Sequence, residues 1–226
     1  MDITVLSLGG SVLVKDEDPS AYLSELARML VEVSSNTKLY IVAGGGRIAR
    51  FYIRAGRSLG ATEQYLDLMG IDATRLNARL LVAALKEHAC PEPPREYEEA
   101  ALAGARYPIV VMGGVTPGVT TDAVSARLAE RVGATRLVNA TSVDGAYTAD
   151  PKKDVCAKRI PRMSHEELVR LVTGTAEGAG PTTVFDPIGA EVLMRTHIPL
   201  TIVDGRSMKN LKLALEGKEC VGTIVD

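Results

Sequence analysis

Apolar positions in this chain gather into short runs. Residues 3–8, 39–43, 109–112, 137–140 and 200–203 are nearly continuous in Val, Ile, Leu, Ala and Met, and 221–225 makes a sixth such run. Continuous rather than alternating apolarity suits strands covered on both faces, as in a parallel sheet. Between the runs the period lengthens to that of a helix. Tyr22, Leu23, Leu26, Met29, Leu30 and Val33 share one face. The stretch 65–88 carries a long helical pattern, with Leu66, Met69, Ala73, Leu76 and Leu80 on one stripe. Residues 123–132, 166–172, 190–196 and 211–215 supply shorter helices. Ser34, Ser35 and Asn36 read as a turn, and three prolines within 90–95 close the long helix. Strands alternating with helices predict an α/β fold with a mainly parallel sheet.

Glycine recurs where the strands end. Gly9 and Gly10 follow the first run, Gly44, Gly45 and Gly46 the second, Gly113 and Gly114 the third, and Gly145 the fourth. In an open α/β sheet, ligands bind beyond the carboxyl ends of the strands. Glycine lets backbones approach closely and lets N–H groups converge on an anion. Helices opening after Gly10 and Gly46 would add positive potential. Taken singly, Gly9-Gly10 and Gly145 are ordinary turn chemistry. A triplet, and four such loops on one edge, point instead to a phosphate-binding crevice. Neither GxGxxG nor GxxxxGK[ST] is present, so no dinucleotide fingerprint or P-loop is indicated.

Composition narrows the ligand. The 226 residues carry a net charge of −2, which argues against a broad electrostatic grip on nucleic acid. With no Trp and two Phe, a base-stacking groove is not expected either. No apolar run approaches bilayer length and no basic leader is visible, so a soluble protein of the cytoplasm, without a membrane partner, is expected. Cys90, Cys156 and Cys220 are far apart and form no CxxC, and they read as reduced, mostly buried thiols.

The polar candidates sort by type. Arg47 and Arg50 stand in the first turn of a helix, where a cation is badly placed for the macrodipole, so a functional reason competes with a solvated one. Thr116, Thr120 and Thr121 lie in a Gly/Pro loop running into a helix, with Asp122 as its expected N-cap. Asp186-Pro187 reads as an N-cap followed by a first-turn proline. Asp67, early in the long helix, suits the helix dipole. His88, His165 and His197 share no metal spacing, and no metal-ligand set is legible.

Four segments, "GGGRIARFYI", "LDLMGIDATRLNA", "MGGVTPGVTTDAV" and "SVDGAYTADPKKD", resemble in this order the amino acid kinase superfamily, most closely its archaeal-type UMP kinases. The likeness runs from "LGGSVL" to "GTIVD". It implies one domain over 1–226, a three-layer α/β/α sandwich with nucleotide laid over the strand edge. The implied activity is transfer of the ATP γ-phosphoryl to UMP, with Mg²⁺, by an oligomer that the family makes a hexamer. By resemblance, Gly9, Gly10 and Ser11 meet the transferred and β-phosphates, Gly46 and Arg50 meet ATP, and Thr141, Tyr147 and Asp150 surround its adenine and ribose. Gly45 lies by the UMP phosphate, Asp67 holds the UMP ribose hydroxyls, and Val115, Thr116, Pro117, Gly118, Val119, Thr120 and Thr121 cradle uracil and phosphate. Asp122 and Asp186 organise the transfer centre, with Arg47 and Arg50 as candidate charge-neutralising groups.

One departure stands out. By resemblance, many relatives, bacterial-type UMP kinases among them, place Lys two residues before the first glycine, whereas archaeal-type relatives carry no uniform lysine there; Ser7 occupies that position here. Two other readings stay open on the residues alone. One is a kinase of this fold with another acceptor, such as an amino acid carboxylate, a carbamate or a prenyl phosphate. The other, which Ser7 keeps open, is a non-catalytic nucleotide- or oxyanion-binding protein.

Overall fold

The computed structural model describes residues 2–14, 18–149, 154–174 and 184–226. In chain order its elements are β1 (Asp2–Leu8), α1 (Gly10–Leu13), α2 (Ser20–Ser34), β2 (Thr37–Ala43), α3 (Gly46–Ser58), α4 (Glu63–Leu85), α5 (Tyr97–Gly104), β3 (Ile109–Met112), α6 (Thr121–Val132), β4 (Arg136–Thr141), β5 (Ala146–Tyr147), β6 (Arg159–Ile160), β7 (Arg162–Met163), α7 (His165–Thr173), α8 (Pro187–Thr196), β8 (Leu200–Asp204), α9 (Met208–Leu215) and β9 (Thr223–Val225). Seven strands form one sheet in the order β3-β2-β1-β4-β8-β9-β7. The first five run parallel. β9 is antiparallel to β8, and β7 runs parallel to β9.

Both faces of the sheet are covered, which is why its strands read as unbroken apolar runs. Leu6, Leu8, Leu39 and Ile41 pack on one side with Leu26, Leu30, Leu81, Leu85 and Leu211. Val5, Val42, Val110 and Leu137 pack on the other with Val124, Leu128, Leu168 and Leu193. The chain lays β2 and β3 outward from β1, then crosses back to place β4 on the other side of β1. Strand order reverses there, so the carboxyl ends of β1, β2, β3, β4 and β8 open on one crevice.

Several expectations need correcting. The long helix stops at Leu85, and a 3-10 turn at Lys86–His88 follows it, so the chain leaves the helix before the prolines. Its expected stripe is split. Leu66 and Ala73 are buried, whereas Leu76 is 60% exposed and Leu80 40%. The covered face instead carries Thr74, Asn77, Ala78, Leu81 and Leu85. A helix apolar on two sides defeats a single-stripe reading. The helix after Gly10 is a single turn. α5 carries no clear period and went unpredicted, as did the two-residue strands β5, β6 and β7. Of the three thiols, Cys90 is buried, Cys220 half-buried and Cys156 exposed, and all are free.

Candidate active site

The crevice begins with two glycine loops locked together. A Cβ built on Gly10 would sit 2.3 Å from Gly46 N and 2.4 Å from Gly44 O, and one on Gly44 would sit 2.6 Å from Gly10 N. Gly46 also holds φ +56°, a region that favours glycine. The loops after β1 and β2 therefore need these glycines to pack backbone on backbone. This changes the reading of Gly9. Its N–H donates to Ala140 O at 2.9 Å, so it is spent on the sheet rather than available to a phosphate. The Gly44 N–H is likewise given to Leu8 O at 2.9 Å. The first N–H groups of a helix have no intrahelical acceptor. α3, starting at Gly46, brings such a helix N-terminus to this edge.

Beside this interlock lies an open cleft of about 420 Å³. It gathers Gly45, Gly46, Arg50, Asp67 and the loop residues Thr116, Pro117, Gly118, Val119, Thr120 and Thr121, which lie far apart in sequence. Ala49, Ile53 and Ile71 give it apolar walls. Asp67 sits in the second turn of α4, with Oδ2 4.0 Å from where a Gly118 side chain would begin. Val115 stands apart from this set, packed against the core below. Arg50 lines the cleft, while Arg47 is exposed and not among its lining.

Next to the cleft, at the carboxyl end of β1, two carboxylates meet. Ser7, 1% exposed, donates its hydroxyl to Asp122 Oδ1 at 2.7 Å. Asp122 is not the N-cap of α6. That role falls to Thr120, whose Oγ1 accepts from Ala123 N at 3.2 Å. Thr120 also donates to Asp186 Oδ2 at 2.8 Å, and Asp186 caps α8 by accepting from Gly189 N at 3.0 Å. Burial pushes the Asp122 carboxyl up to about 6, against the Ser7 hydrogen bond, and the nearby charge of Asp186 adds to the rise. At the end of β1 the chain thus places a neutral hydroxyl, not a cation, against the Asp122 carboxyl.

The loops after β4 and β8 continue the crevice. Gly205 N donates to Thr141 O at 2.9 Å. Arg206 forks onto Asp204, which it holds below the usual carboxylate range, and reaches Ser142 O at 3.0 Å. Tyr147 donates its hydroxyl to Asp144 Oδ1 at 2.7 Å. Ser11 is exposed at the start of α1. Gly145 packs against Thr223, where a Cβ would lie 2.6 Å from Oγ1, so this glycine serves the fold. Asp150 lies outside the described residues. Among those described, no cluster of three or more His, Cys, Asp or Glu is arranged to hold a metal.

Two groups went unsingled in the sequence. Thr74 and Asn77 are 7% and 3% exposed, on the sheet-facing side of α4. Asn77 Nδ2 donates to Gly44 O at 2.8 Å and Gly45 O at 3.2 Å, and Thr74 Oγ1 accepts from Gly114 N at 2.6 Å. Their signal was available: two polar residues three apart on an apolar helix face.

The amino acid kinase family profile matches residues 2–204. The chain belongs to the amino acid kinase family. It is 48% identical over 221 residues to a uridylate kinase of Methanoculleus marisnigri, covering 98% of this chain and 94% of that one. A uridylate kinase of Methanothrix thermoacetophila is 47% identical over 215 residues, covering 95% and 96%. The crystal structure of the Archaeoglobus fulgidus uridylate kinase superposes with a TM-score of 0.89 at 40% identity, over 100% of both chains. A Bacillus anthracis UMP kinase, at 22% identity and a TM-score of 0.82, shares the fold. The amino acid kinase arrangement thus bears out the three-layer α/β expectation, with the mainly parallel sheet at its centre.

Proposed function

We propose that this chain transfers the γ-phosphoryl of ATP to the phosphate of UMP, giving UDP and ADP, a step of pyrimidine nucleotide biosynthesis carried out in the cytoplasm. The observation that carries the reading is the cleft joining Asp67, Gly45, Arg50 and the loop from Thr116 to Thr121, in a chain of this family. A carboxylate facing a polar loop across apolar walls suits a nucleoside. Asp67 accepts from the ribose hydroxyls, the loop takes uracil and phosphate with Val115 supporting it from below, and the phosphate reaches Gly45. ATP lies over the β4 and β8 loops, with Thr141, Tyr147 and Asp150 about its base and ribose, and its phosphates against Gly10, Ser11, Gly46 and Arg50.

Phosphoryl transfer needs positioning and charge neutralisation more than proton abstraction. The UMP phosphate is already a nucleophile near neutral pH, which fits a site without a placed histidine. Arg50 supplies a planar, permanently charged fork to phosphate oxygens. Arg47 adds charge from outside the cleft. Asp122 and Asp186, tied to Ser7 and Thr120, hold the transfer centre in shape. Mg²⁺ enters as part of the substrate MgATP, since this ion keeps its waters and is held largely by the phosphates.

α3, α4 and the turn between them expose Phe51, Tyr52, Leu59, Tyr65, Leu68 and Leu76. So much exposed apolar surface on two adjacent helices fits a subunit contact with a second copy, and the family resemblance makes the assembly a hexamer; sedimentation velocity gives its mass directly. The activity test is ADP release with MgATP across UMP, CMP, dCMP, carbamate and an amino acid acceptor. Release that requires UMP is expected. Turnover with another acceptor in preference, or nucleotide binding without turnover, would overturn the reading.

A further inference from the structure

The segment "DATRLNA" belongs to a motif whose first residues carry the acceptor site, yet its own polar residues have no part in the roles above. We propose that Thr74 is a positioning residue that sets the acceptor loop against α4, with Asn77 doing the same for the glycine triplet one turn further on. The inference rests on the acceptor reading just given. The Thr74 hydroxyl has one proton, and that proton is committed to Ile71 O at 2.6 Å. Its lone pairs are thereby turned outward, and one receives Gly114 N–H at 2.6 Å. Gly114 opens the loop that ends at Thr121. The neighbouring Gly113 leaves room for this contact, since a Cβ there would lie 2.6 Å from Thr74 Oγ1 and 2.8 Å from Arg75 N. The Thr74 methyl comes within 3.4 Å of a Cβ built on Gly45, so the same side chain also bounds the second loop.

Asn77 completes the device. Both of its partners are carbonyl oxygens, so its amide nitrogen must face them. Asp67, Ile71, Thr74 and Asn77 recur every three or four residues and lie along one side of α4. Ten residues of helix rise about 15 Å. The helix that carries Asp67 thus also fixes, along its length, the loops that receive the base and the phosphate. A shift of either loop changes its distance from Asp67; Thr74 also lines the cleft, and its hydroxyl is already engaged with Ile71 O and Gly114 N–H.

Thr74→Val removes the hydroxyl and keeps the shape, and Thr74→Ser keeps the hydroxyl and loses a methyl. Thr74→Val is expected to raise the UMP KM about tenfold, equivalent to about 1.4 kcal/mol. The ATP KM should stay within about twofold, since the donor loops do not hang from Thr74. Thr74→Ser should retain the wild-type UMP KM. Hydrogen–deuterium exchange of peptides covering 113–121 should quicken in Thr74→Val and not in Thr74→Ser. Equal effects of the two variants, or parallel rises in both KM values, would make Thr74 a packing residue and overturn the proposal. If Thr74→Val does not fold, Thr74→Ala removes the hydroxyl without adding a methyl beside Gly114 and carries the same comparison. Wild-type protein that turns over no UMP would refute the acceptor reading instead; the exchange comparison would still decide whether Thr74 holds the loop.

Discussion

Replacing Ser7 by Ala removes the hydroxyl that donates to Asp122 Oδ1 at 2.7 Å and leaves the strand otherwise intact. The Asp122 carboxyl sits at about 6 because burial raises it more than the Ser7 hydrogen bond lowers it. A hydrogen bond to a charged group contributes about 1.5–3 kcal/mol, and one pKa unit is about 1.4 kcal/mol. Ser7→Ala should therefore lift the Asp122 midpoint by about one to two units. At pH 7 the wild-type carboxylate is roughly nine-tenths ionised, and in the variant roughly a half to a tenth. If the ionised form is the active one, kcat/KM for UMP at pH 7 falls about two- to tenfold and recovers above about pH 9. The assay is a pH profile of kcat/KM from pH 5 to 9.5 with saturating MgATP at fixed ionic strength. UMP has its own second phosphate ionisation near about 6, as other phosphate monoesters do. That limb belongs to the substrate and is identical in both enzymes, so the displacement between the profiles isolates the protein group. A Ser7→Ala profile lowered equally at every pH, with its acid limb unmoved, would refute the reasoning.

Asp122→Asn should abolish most activity and raise Tm at pH 7. A carboxyl whose folded pKa is raised is stabilising to keep protonated, and that benefit is lost as pH rises from the ordinary 3.8 through about 6; discounting for partial exposure, the amide should gain about 1–2 kcal/mol, or roughly 2–8 °C, and the gain should vanish below about pH 4 in scanning calorimetry. Asp67→Asn should raise the UMP KM about 10- to 100-fold and leave the ATP KM nearly unchanged, and equal effects on both would remove Asp67 from the ribose. Arg50→Ala should lower kcat about 10²–10³-fold, with Arg47→Ala between it and Ser7→Ala, and a Ser7→Ala enzyme more damaged than Arg50→Ala would put the charge compensation in the wrong loop. Thr120→Ala should lose both a helix cap, about 1 kcal/mol in thermal melts, and UMP kcat/KM, whereas Thr121→Ala, which is not the cap, should lose kcat/KM with Tm nearly unmoved.

What the sequence showed and what it hid follow from the range of each interaction. Strands buried on both faces write themselves as unbroken apolar runs, so β1, β2, β3, β4 and β8 were legible within two residues of their ends. β9 falls within the run read at 221–225, but the two-residue strands β5, β6 and β7 are set by partners distant in the chain, and Thr223 illustrates this: it accepts from Ala146 N at 2.8 Å and donates to Ile160 O at 2.6 Å. No local window contains those partners. The cleft was legible as a list of loops because each loop ends a strand. Which N–H groups the fold consumes was not, because Gly9 gives its own to Ala140 across the sheet.

The carboxylates make the same point with a consequence for mechanism. A Thr-Thr-Asp start to a helix offers three capping candidates, and local chemistry favours the aspartate. The chain caps with Thr120 instead, and this releases Asp122 to turn toward β1. Its partner there, Ser7, is 115 residues away and pairs through its backbone with Val42 and Asn139 in the parallel sheet. A hydroxyl at that position brings no positive charge to the carboxylate. The hydrogen bond lowers the Asp122 pKa by less than burial raises it, and the charge of Asp186 adds to the rise. On the function proposed above, neutralising the transferred phosphoryl falls to Arg50 and to the ion that arrives with ATP, and the protonation of Asp122 governs the shape of the site. On that reading Ser7 is compatible with catalysis, because the first loop need not supply the charge itself.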